Sequence, residues 1–263
     1  MTESFKGKWA LILGASSGFG AASARALAKA GLNIIGVHLD RKAAMESVET
    51  LKTDLQNFGV EVKFFNINAA DEIKRQELLS EMKELACGKI HVLMHSLAFG
   101  ALKPFIEKEA KDAITKSQVE MTMDVMANSL IYWAQDLERQ GFFCEGARVY
   151  AMTSAGSSRV WKSYGAVSAA KAALESHCRQ LALELAPRKI CVNAILAGVT
   201  DTPALRKIPG NSEMVEAAQK RNPMGRLTTP EDVANALVAL SSPYCSFITG
   251  NTLRIDGGEN VVE

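Results

Sequence analysis

Between positions 14 and 20 the chain reads Gly14-Ala15-Ser16-Ser17-Gly18-Phe19-Gly20. An apolar run precedes this segment, and an alanine-rich stretch of helical period follows it. Gly14 permits a sharp turn, Gly18 lets the backbone approach a pyrophosphate, and Gly20 lets the helix pack against the strand. The N-terminus of that helix faces the anion. Glycines also serve ordinary turns, so it is the strand-to-helix context that predicts a dinucleotide-binding loop, with its serines and phenylalanine as further contacts.

The sequence around this loop alternates short apolar runs with longer segments of helical period. Strands are predicted at residues 9–13, 33–37, 62–67, 91–94, 148–152, 189–195 and 252–255. Helices are predicted at residues 21–30, 71–85, 121–139, 168–185 and 230–240. This alternation is typical of an α/β fold, a doubly wound (Rossmann) parallel seven-stranded sheet with helices on both faces.

The domain organisation follows from what the sequence does not contain. No internal repeat, low-complexity tract or linker divides the chain, so we expect a single domain over residues 1–263. Residues 202–226 depart from the alternation, because several prolines and glycines surround a short helical pattern. This departure predicts a mobile substrate lid.

Composition excludes several classes of function. The chain has 30 Lys and Arg residues against 29 Asp and Glu, a net charge of +1, and 48% hydrophobic residues. It therefore lacks the charge expected of a non-specific nucleic-acid binder, and we expect no nucleic-acid partner. No signal-peptide pattern and no apolar run of about 18 residues occurs, so we expect no membrane span and a cytoplasmic protein.

Cysteine and histidine usage predicts neither disulfides nor a metal site. The five cysteines, which form no C-x-x-C pair and lie mostly in apolar surroundings, are Cys87, Cys144, Cys178, Cys191 and Cys245. This pattern is typical of reduced core thiols. The four histidines are scattered without metal-ligand spacing, so we expect no metal.

The end of the second predicted strand bears on the choice of cofactor. An NAD enzyme usually places an acid at this position, and here it is His38. Arg41 and Lys42 follow closely, and both can neutralise the extra phosphate of NADPH. Asp40 argues against NADPH, because an acid here also suits an NADH site or a helix N-cap. The pattern favours NADPH and leaves NADH open.

Two further strand ends supply candidate contacts to the cofactor. Asn66 can bond the adenine amine, and Ile67 can cover the adenine ring. The small residues after the fourth strand let the chain pass beneath a ribose, and the candidates there are Ser96, Leu97 and Ala98. All five lie at the carboxyl edge of the predicted sheet, where doubly wound folds bind nucleotides.

Together these motifs resemble those of the short-chain dehydrogenase/reductase family, and the resemblance covers nearly the whole chain. In family order they are the glycine loop, the Ser154 and Lys171 pair, Ala197-Gly198-Val199-Thr200-Asp201-Thr202, Pro230-Glu231-Asp232-Val233-Ala234 and Asp256-Gly257-Gly258. Ordinary members place the catalytic tyrosine four residues before the lysine, where this chain has Val167. The nearest tyrosine is Tyr164, seven residues before Lys171. This spacing and the segment from His95 to Phe99 resemble enoyl-acyl-carrier-protein reductases.

The shifted tyrosine fits the reduction of a 2-enoyl thioester. On a helix, residues 164, 167 and 171 share a face, so the phenol moves by roughly 4.5 Å along one side. In a ketone the hydride and proton arrive on neighbouring atoms. In an enoyl thioester the hydride arrives at C3 and the negative charge develops on the remote thioester oxygen. A displaced donor suits the second reaction.

The resemblance also implies roles for individual residues. Tyr164 stabilises the enolate oxygen, while Lys171 holds the nicotinamide ribose and favours phenolate character on Tyr164. The Thr200 backbone and Thr202 fix the carboxamide and the pyrophosphate. Ser154 is either a further catalytic hydroxyl or a strand-end hydroxyl that bonds the backbone.

Two departures from the family pattern refine the resemblance. Ordinary members carry a proton-relay asparagine where this chain has Met126, and Asn128 lies two residues away on another side of the helix. The glycine loop is intact, unlike that of many enoyl reductases. The closest resemblance is to the subgroup that combines an ordinary glycine loop with the displaced tyrosine and uses NADPH.

The substrate side is predicted from apolar and charged residues near the lid. The candidate acyl-chain wall, each of whose members also suits a core position, comprises Phe99, Leu102, Phe105, Trp161, Leu205, Ile208 and Met214. Arg206, Lys207, Lys220 and Arg221 form a candidate cationic rim for an acyl carrier protein. The family resemblance implies a homotetramer.

Three functions remain in competition at this point. The first is enoyl-thioester reduction in fatty-acid synthesis, on acyl carrier protein or coenzyme A. The second is a carbonyl or hydroxysteroid-type reductase in which Tyr164 takes the ordinary role. The third is a non-catalytic nucleotide-binding scaffold or sensor.

Overall fold

The computed structural model describes residues 5–84 and 89–262, which excludes the predicted thiol Cys87 and the last predicted residue of the helix at 71–85. Its strands, in chain order, are β1 (Trp9–Leu13), β2 (Asn33–His38), β3 (Val62–Asn66), β4 (Ile90–His95), β5 (Phe143–Thr153), β6 (Cys191–Ala197) and β7 (Thr252–Ile255). They form one sheet in the order β3-β2-β1-β4-β5-β6-β7. Every pair is parallel, which confirms the predicted doubly wound seven-stranded sheet.

The helices of the described residues connect these strands. They are α1 (Gly18–Lys29), α2 (Met45–Gln56), α3 (Glu72–Glu84), α4 (Lys116–Met123), α5 (Ser129–Arg139), α6 (Gly165–Leu185), α7 (Asn211–Arg221) and α8 (Pro230–Leu240). Two of them lie outside the predicted helices, α2 entirely and α7 as the short helical pattern of the predicted lid.

Two hydrophobic cores lie on opposite faces of the sheet, because successive side chains of a strand point in opposite directions. Along β1, Trp9 and Leu11 pack into one core with helices α3, α5 and α6. Ala10 and Ile12 pack into the other with α1, α2 and α8. All of β1 is buried, as expected of a central parallel strand covered on both faces.

Two predicted helices begin or continue differently from expectation. The helix predicted at residues 121–139 is interrupted by a π-helical turn, Asp124–Asn128, between α4 and α5. The apolar pattern continues through this turn, so the sequence gives no sign of it. Helix α6 begins at Gly165 rather than at residue 168, and Tyr164 is its N-cap. The assumption that Tyr164 lies within the helix is therefore wrong by one residue.

The strand order creates the crevice in which a ligand can bind. Strands β1 and β4 are neighbours, but the chain leaves β1 toward β2 on one side and leaves β4 toward β5 on the other. Loops at the carboxyl ends of these strands therefore diverge and leave a crevice between them. At this edge Ser96 N donates to Leu13 O at 2.8 Å, which aligns the two strand ends. Among the described helices, none has the length and apolar character needed to cross a bilayer.

Two buried histidines make the fold sensitive to acid. The His91 ring lies 3.0 Å from Ser241 O and 3.5 Å from Cys144 Sγ, and His95 is fully buried against Ser129 at 2.8 Å. Burial lowers the pKa of His91 from 6.5 to about 4. Burial, together with the Lys171 cation, lowers the pKa of His95 to about 3. Both rings are therefore neutral in the folded protein at neutral pH.

We expect the free energy of unfolding to fall as the pH is lowered. An unfolded histidine titrates near pH 6.5, so acid favours the unfolded chain below that pH. The stability contributed by each ring is complete above about pH 6.5 and is lost through about pH 4 for His91. Between pH 7.5 and 5 the loss is roughly 2 kcal/mol per ring. Urea unfolding at pH 7.5 and at pH 5 measures this loss. His91→Asn should show about half of the wild-type pH dependence. Equal wild-type free energies of unfolding at the two pH values would contradict the prediction.

Candidate active site

The glycine loop is as close-packed as its sequence predicts. Gly14 has a φ of +89°, and a Cβ there would lie 2.4 Å from the Ser96 carbonyl oxygen. A Cβ on Gly20 would lie 2.0 Å from the Gly14 carbonyl oxygen. Gly18 has a φ of +52° and faces more open space, with the Thr202 methyl at 3.5 Å from its Cβ position. Gly14 and Gly20 leave no space for a Cβ, whereas at Gly18 it is the left-handed φ that favours glycine.

The N-terminus of α1 suits a bound anion. Ser17 is the N-cap, and its exposed side chain makes no capping hydrogen bond. The first turn of α1 holds no acidic residue, so the helix dipole and free N–H groups face the crevice uncompensated. Ser16 lies beside it, half-buried, while Phe19 packs against the core below. Together with the open space at Gly18, these features fit the pyrophosphate of a dinucleotide.

At the end of β2, the predicted cofactor contacts His38 and Asn66 are each hydrogen-bonded to Asp40, which the sequence does not indicate. The buried His38 ring lies 2.9 Å from the Asp40 carboxylate, so this acid is already engaged. The Asn66 amide donates to Asp40 O at 2.9 Å and accepts from Asp40 N at 3.0 Å. Arg41 and Lys42 are exposed, and neither makes an ion pair with another described residue.

The other predicted nucleotide contacts differ in how much of each side chain is left to meet a ligand. Asn66 ties down the β2 loop and retains one acceptor lone pair for an adenine amine. Ile67 is half-buried against the core and offers only its remaining surface to a ring. Ser96 and Leu97 are half-buried at the end of β4, and Ala98 is exposed.

Lys171 is a buried cation at the centre of the site. Its Nζ donates to Met152 O at 2.7 Å and, more weakly, to Leu97 O at 3.5 Å. These carbonyls lie at the ends of β5 and β4, so one ammonium bridges two neighbouring strand ends. Burial lowers the pKa of Lys171 to about 8, which leaves it mostly charged at neutral pH. Its third N–H is available for a ligand.

Tyr164 and Ser154 form the second part of the site. Burial raises the pKa of Tyr164, and the Ser154 hydroxyl offsets part of this rise. The Ser154 Oγ is buried and lies near the phenol, but it makes no hydrogen bond of normal geometry to any described residue. Gly156 leaves room for the phenol, because a Cβ there would lie 2.7 Å from the Tyr164 ring. The expectation of phenolate character on Tyr164 is therefore wrong: the surroundings keep the phenol protonated.

The position four residues before Lys171 belongs to the core. Val167 is buried, and its methyl lies 2.8 Å from where a Gly100 Cβ would be. Met126, in the place of the family's relay asparagine, is also buried against Gly100. Asn128 pairs with the His177 ring at 3.2 Å and so points away from the site.

The loop after β6 is fixed by residues that the sequence analysis missed. Thr200 and Thr202 are both buried, and Thr202 lies against the glycine loop. The buried Glu259 accepts a hydrogen bond from Val199 N at 2.9 Å and pairs with Arg221 at 3.1 Å. Glu259 follows the Asp256-Gly257-Gly258 motif directly, but nothing in its local sequence indicates these partners.

The predicted lid, residues 202–226, is tethered at several points. The Trp161 indole N–H donates to Pro209 O at 2.9 Å. Three of the four predicted rim cations are paired internally: Arg206 with Asp201 at 2.8 Å, Lys220 with Glu216 at 2.6 Å, and Arg221 with Glu259. Lys207 alone among the four has no ion pair with another described residue. The rim is thus mostly neutralised, by Glu216 within the lid and by Asp201 and Glu259 outside it.

The predicted acyl-chain wall divides into two groups. Leu205 and Ile208 are buried, and Leu102 packs partly into the core, so these side chains support the fold. Phe99 and Phe105 are 57% and 55% exposed, which leaves their rings free to contact a substrate. Trp161 and Met214 are half-buried at the lid.

Comparisons with known proteins identify the family of this chain. The sequence profile described as enoyl-(acyl carrier protein) reductase matches residues 14–260. The chain belongs to this family of short-chain dehydrogenases/reductases. D-erythrulose reductase of Gallus gallus is 29% identical to this short-chain dehydrogenase/reductase, over 97% of this chain and 96% of that protein.

Solved structures resemble this chain over nearly its full length. The enoyl-[acyl-carrier-protein] reductase (NADH) of Aquifex aeolicus VF5 has a TM-score of 0.84 at 25% identity, with 98% of each chain covered. A short chain dehydrogenase of Burkholderia cenocepacia J2315, in complex with NADP, has a TM-score of 0.81 at 27% identity, covering 97% of this chain and 99% of that one. The present short-chain dehydrogenase/reductase is an NAD(P)-dependent oxidoreductase.

We expect Gly14→Ala to weaken nucleotide binding by roughly tenfold or more, because the added Cβ pushes the loop away from the Ser96 carbonyl. Fluorescence titration with NADPH measures the dissociation constant. Gly59→Ala is the matched control, since Gly59 also has a positive φ, +76°, but its Cβ would meet nothing within 4 Å. Both variants should lose about 1 kcal/mol of stability through the positive φ, and Gly14→Ala should lose more because its Cβ also overlaps the Ser96 carbonyl. Equal nucleotide affinities in the two variants would contradict the assignment of the loop.

Proposed function

We propose that this chain reduces the C2=C3 double bond of 2-enoyl thioesters with NADPH, as in cytoplasmic fatty-acid elongation. The observation that carries the proposal is the position of Tyr164, which caps α6 seven residues before Lys171. The ordinary tyrosine position is filled by Val167, which is buried in the core beneath Gly100. We propose that the phenol meets the substrate from this displaced position.

The displaced phenol matches the charge that develops in conjugate reduction. When bound, the reduced nicotinamide supplies the hydride. Addition at C3 moves negative charge to the thioester oxygen, two carbons away. The Tyr164 hydroxyl donates a hydrogen bond to this oxygen, and its raised pKa keeps the proton in place until charge develops. C2 then takes a proton from Tyr164 or from water.

Ser154 and Lys171 complete the arrangement. The buried Ser154 Oγ lacks a partner among the described residues, so it donates a second hydrogen bond to the same thioester oxygen. Lys171 holds the nicotinamide ribose hydroxyls through its third N–H, while its other two N–H groups remain on Met152 O and Leu97 O. The Thr200 backbone and Thr202 fix the carboxamide and the pyrophosphate.

Charges at the end of β2 support NADPH over NADH. The Asp40 carboxylate is engaged by the His38 ring at 2.9 Å, which reduces its repulsion of a phosphate. The exposed cations Arg41 and Lys42 follow directly. A guanidinium binds a 2′-phosphate through paired hydrogen bonds.

We expect Arg41→Ala to raise KM for NADPH by about tenfold or more, and to leave KM for NADH nearly unchanged, because only NADPH carries the 2′-phosphate. Steady-state kinetics with each nucleotide measures both values. Arg25→Ala is the control, since Arg25 is a half-exposed cation paired with Asp54 at 3.1 Å. A similar rise in KM for both nucleotides would show that Arg41 does not recognise the 2′-phosphate.

The thioester substrate is proposed to lie along the exposed aromatic rings at the mouth of the site. The Phe105 ring packs closely on Gly165, next to Tyr164. A Cβ added to Gly165 would lie only 2.6 Å from that ring. Phe99 exposes its ring on the same loop. Lys207 is the predicted rim cation that remains unpaired among the described residues, and it suits an acyl carrier protein or the phosphate of its pantetheine arm.

A homotetramer in a reducing compartment is part of the proposal. Large apolar side chains on α6 and before β7 are exposed in one chain, and they are Leu183, Tyr244 and Phe247. Surfaces of this kind support contact with further copies. The described cysteines are free thiols, which supports a cytoplasmic location.

The second candidate is a carbonyl reductase, which the similarity to D-erythrulose reductase favours. A direct comparison uses crotonyl thioesters of acyl carrier protein and coenzyme A, the matching 3-oxobutyryl thioesters, and D-erythrulose. We expect saturated butyryl product from the crotonyl thioesters, identified by mass spectrometry. Turnover of the ketones alone would overturn the proposal.

We expect Tyr164→Phe to lower kcat for the crotonyl thioester by roughly 10²- to 10⁴-fold and to leave the NADPH dissociation constant unchanged, because the phenol acts on the substrate oxygen. Tyr244→Phe is the control, since Tyr244 is almost fully exposed. Nucleotide binding without turnover of any substrate by the wild-type protein would point instead to a scaffold or sensor.

A further inference from the structure

Helix α6 is attached to the end of β5 at two consecutive residues. Lys171 Nζ donates to the Met152 carbonyl at 2.7 Å, and the Thr153 hydroxyl donates to Glu175 Oε1 at 2.7 Å. The next residue along β5 is Ser154. Lys171 and Glu175 are one helical turn apart, so their side chains are neighbours on the same face of α6. The second attachment therefore fixes a carboxylate beside the buried ammonium.

The charges around Lys171 come from a small number of groups. From β4 the fully buried His95 faces it, and this ring is neutral because burial lowers its pKa to about 3. From β5 the contact is the uncharged Met152 carbonyl. From α6 itself the neighbours are Cys178 and Glu175, both of which raise the pKa of Lys171 against the larger effect of burial.

Glu175 is the neighbour whose charge acts at physiological pH. Burial raises the pKa of Cys178 to about 12, so this thiol stays neutral. An acid one turn from a desolvated ammonium stabilises the charged form by long-range attraction. Thr153 holds the Glu175 carboxylate at the end of β5. The same hydrogen bond fixes the backbone that leads to Ser154.

We infer that Glu175, anchored by Thr153, is a positioning residue that keeps Lys171 charged and seated between the ends of β4 and β5. This inference rests on the nucleotide-binding role of Lys171 and holds for either substrate class. It extends the site to a carboxylate that contacts neither cofactor nor substrate.

The test is the pH dependence of the NADPH dissociation constant, measured by fluorescence between pH 6 and 9.5 without any substrate. Wild-type affinity should fall as Lys171 loses its proton, and Lys171→Met should abolish this inflection. Glu175→Gln should move the inflection down by about one pH unit and leave affinity at pH 6 within about twofold of wild type. Thr153→Val should shift it in the same direction, and Thr153→Ser should restore it.

The matched control is Glu184→Gln, because Glu184 is exposed on the same helix and bonded to Gln180. An inflection in Glu175→Gln at the wild-type pH would overturn the inference. Equal loss of affinity at pH 6 and pH 8.5 would also overturn it, because it would show a purely structural role. Failure of enoyl reduction leaves this test unaffected, since it needs only the nucleotide.

Discussion

The site depends on one buried ammonium. Lys171 bonds the Met152 carbonyl of β5 and the Leu97 carbonyl just after β4, and it does so from a helix whose N-cap is Tyr164. Burying a cation is costly unless it is hydrogen-bonded and faces opposite charge. Two carbonyls and the nearby Glu175 meet that requirement. The same contacts hold the end of β5 and the chain just after β4 together, on the β4 side of the crevice that a nicotinamide has to enter.

The place of Tyr164 follows from this anchoring. Once Lys171 is seated, the register of α6 is set, and every residue toward its N-terminus has a fixed direction. Val167 then packs against Gly100 in the core and is buried there. Tyr164 lies beyond the first turn, where Gly156 leaves space for its ring. The chemistry proposed for the displaced phenol is thus a consequence of packing as much as of sequence spacing.

Local features of the site could be predicted from the sequence, and long-range ones could not. The glycine loop depends on a positive φ at Gly14 and on close backbone approach at Gly20, both of which glycine permits, so these two residues indicate their own roles. The partners of Glu259, in contrast, are brought together by the crossing of separate loops. The π-helical turn leaves the apolar pattern intact and gives no signal. The ion pairs of three of the four predicted rim cations were also missed, because charges were counted without the nearby acids, of which Asp201 is the clearest case.

The tethers of the predicted lid differ in strength, and this difference sets how the segment can move. At one end the Trp161 indole bonds Pro209 O at an exposed position, where a hydrogen bond contributes about 1 kcal/mol. At the other end Arg221 pairs with the buried Glu259, and removing one partner of such a pair costs roughly 3–5 kcal/mol. Because Glu259 also holds Val199 N, the strong tether is shared with the loop that carries Thr200. The Trp161 end of the segment is therefore held less strongly than the end that shares Glu259 with the loop carrying Thr200.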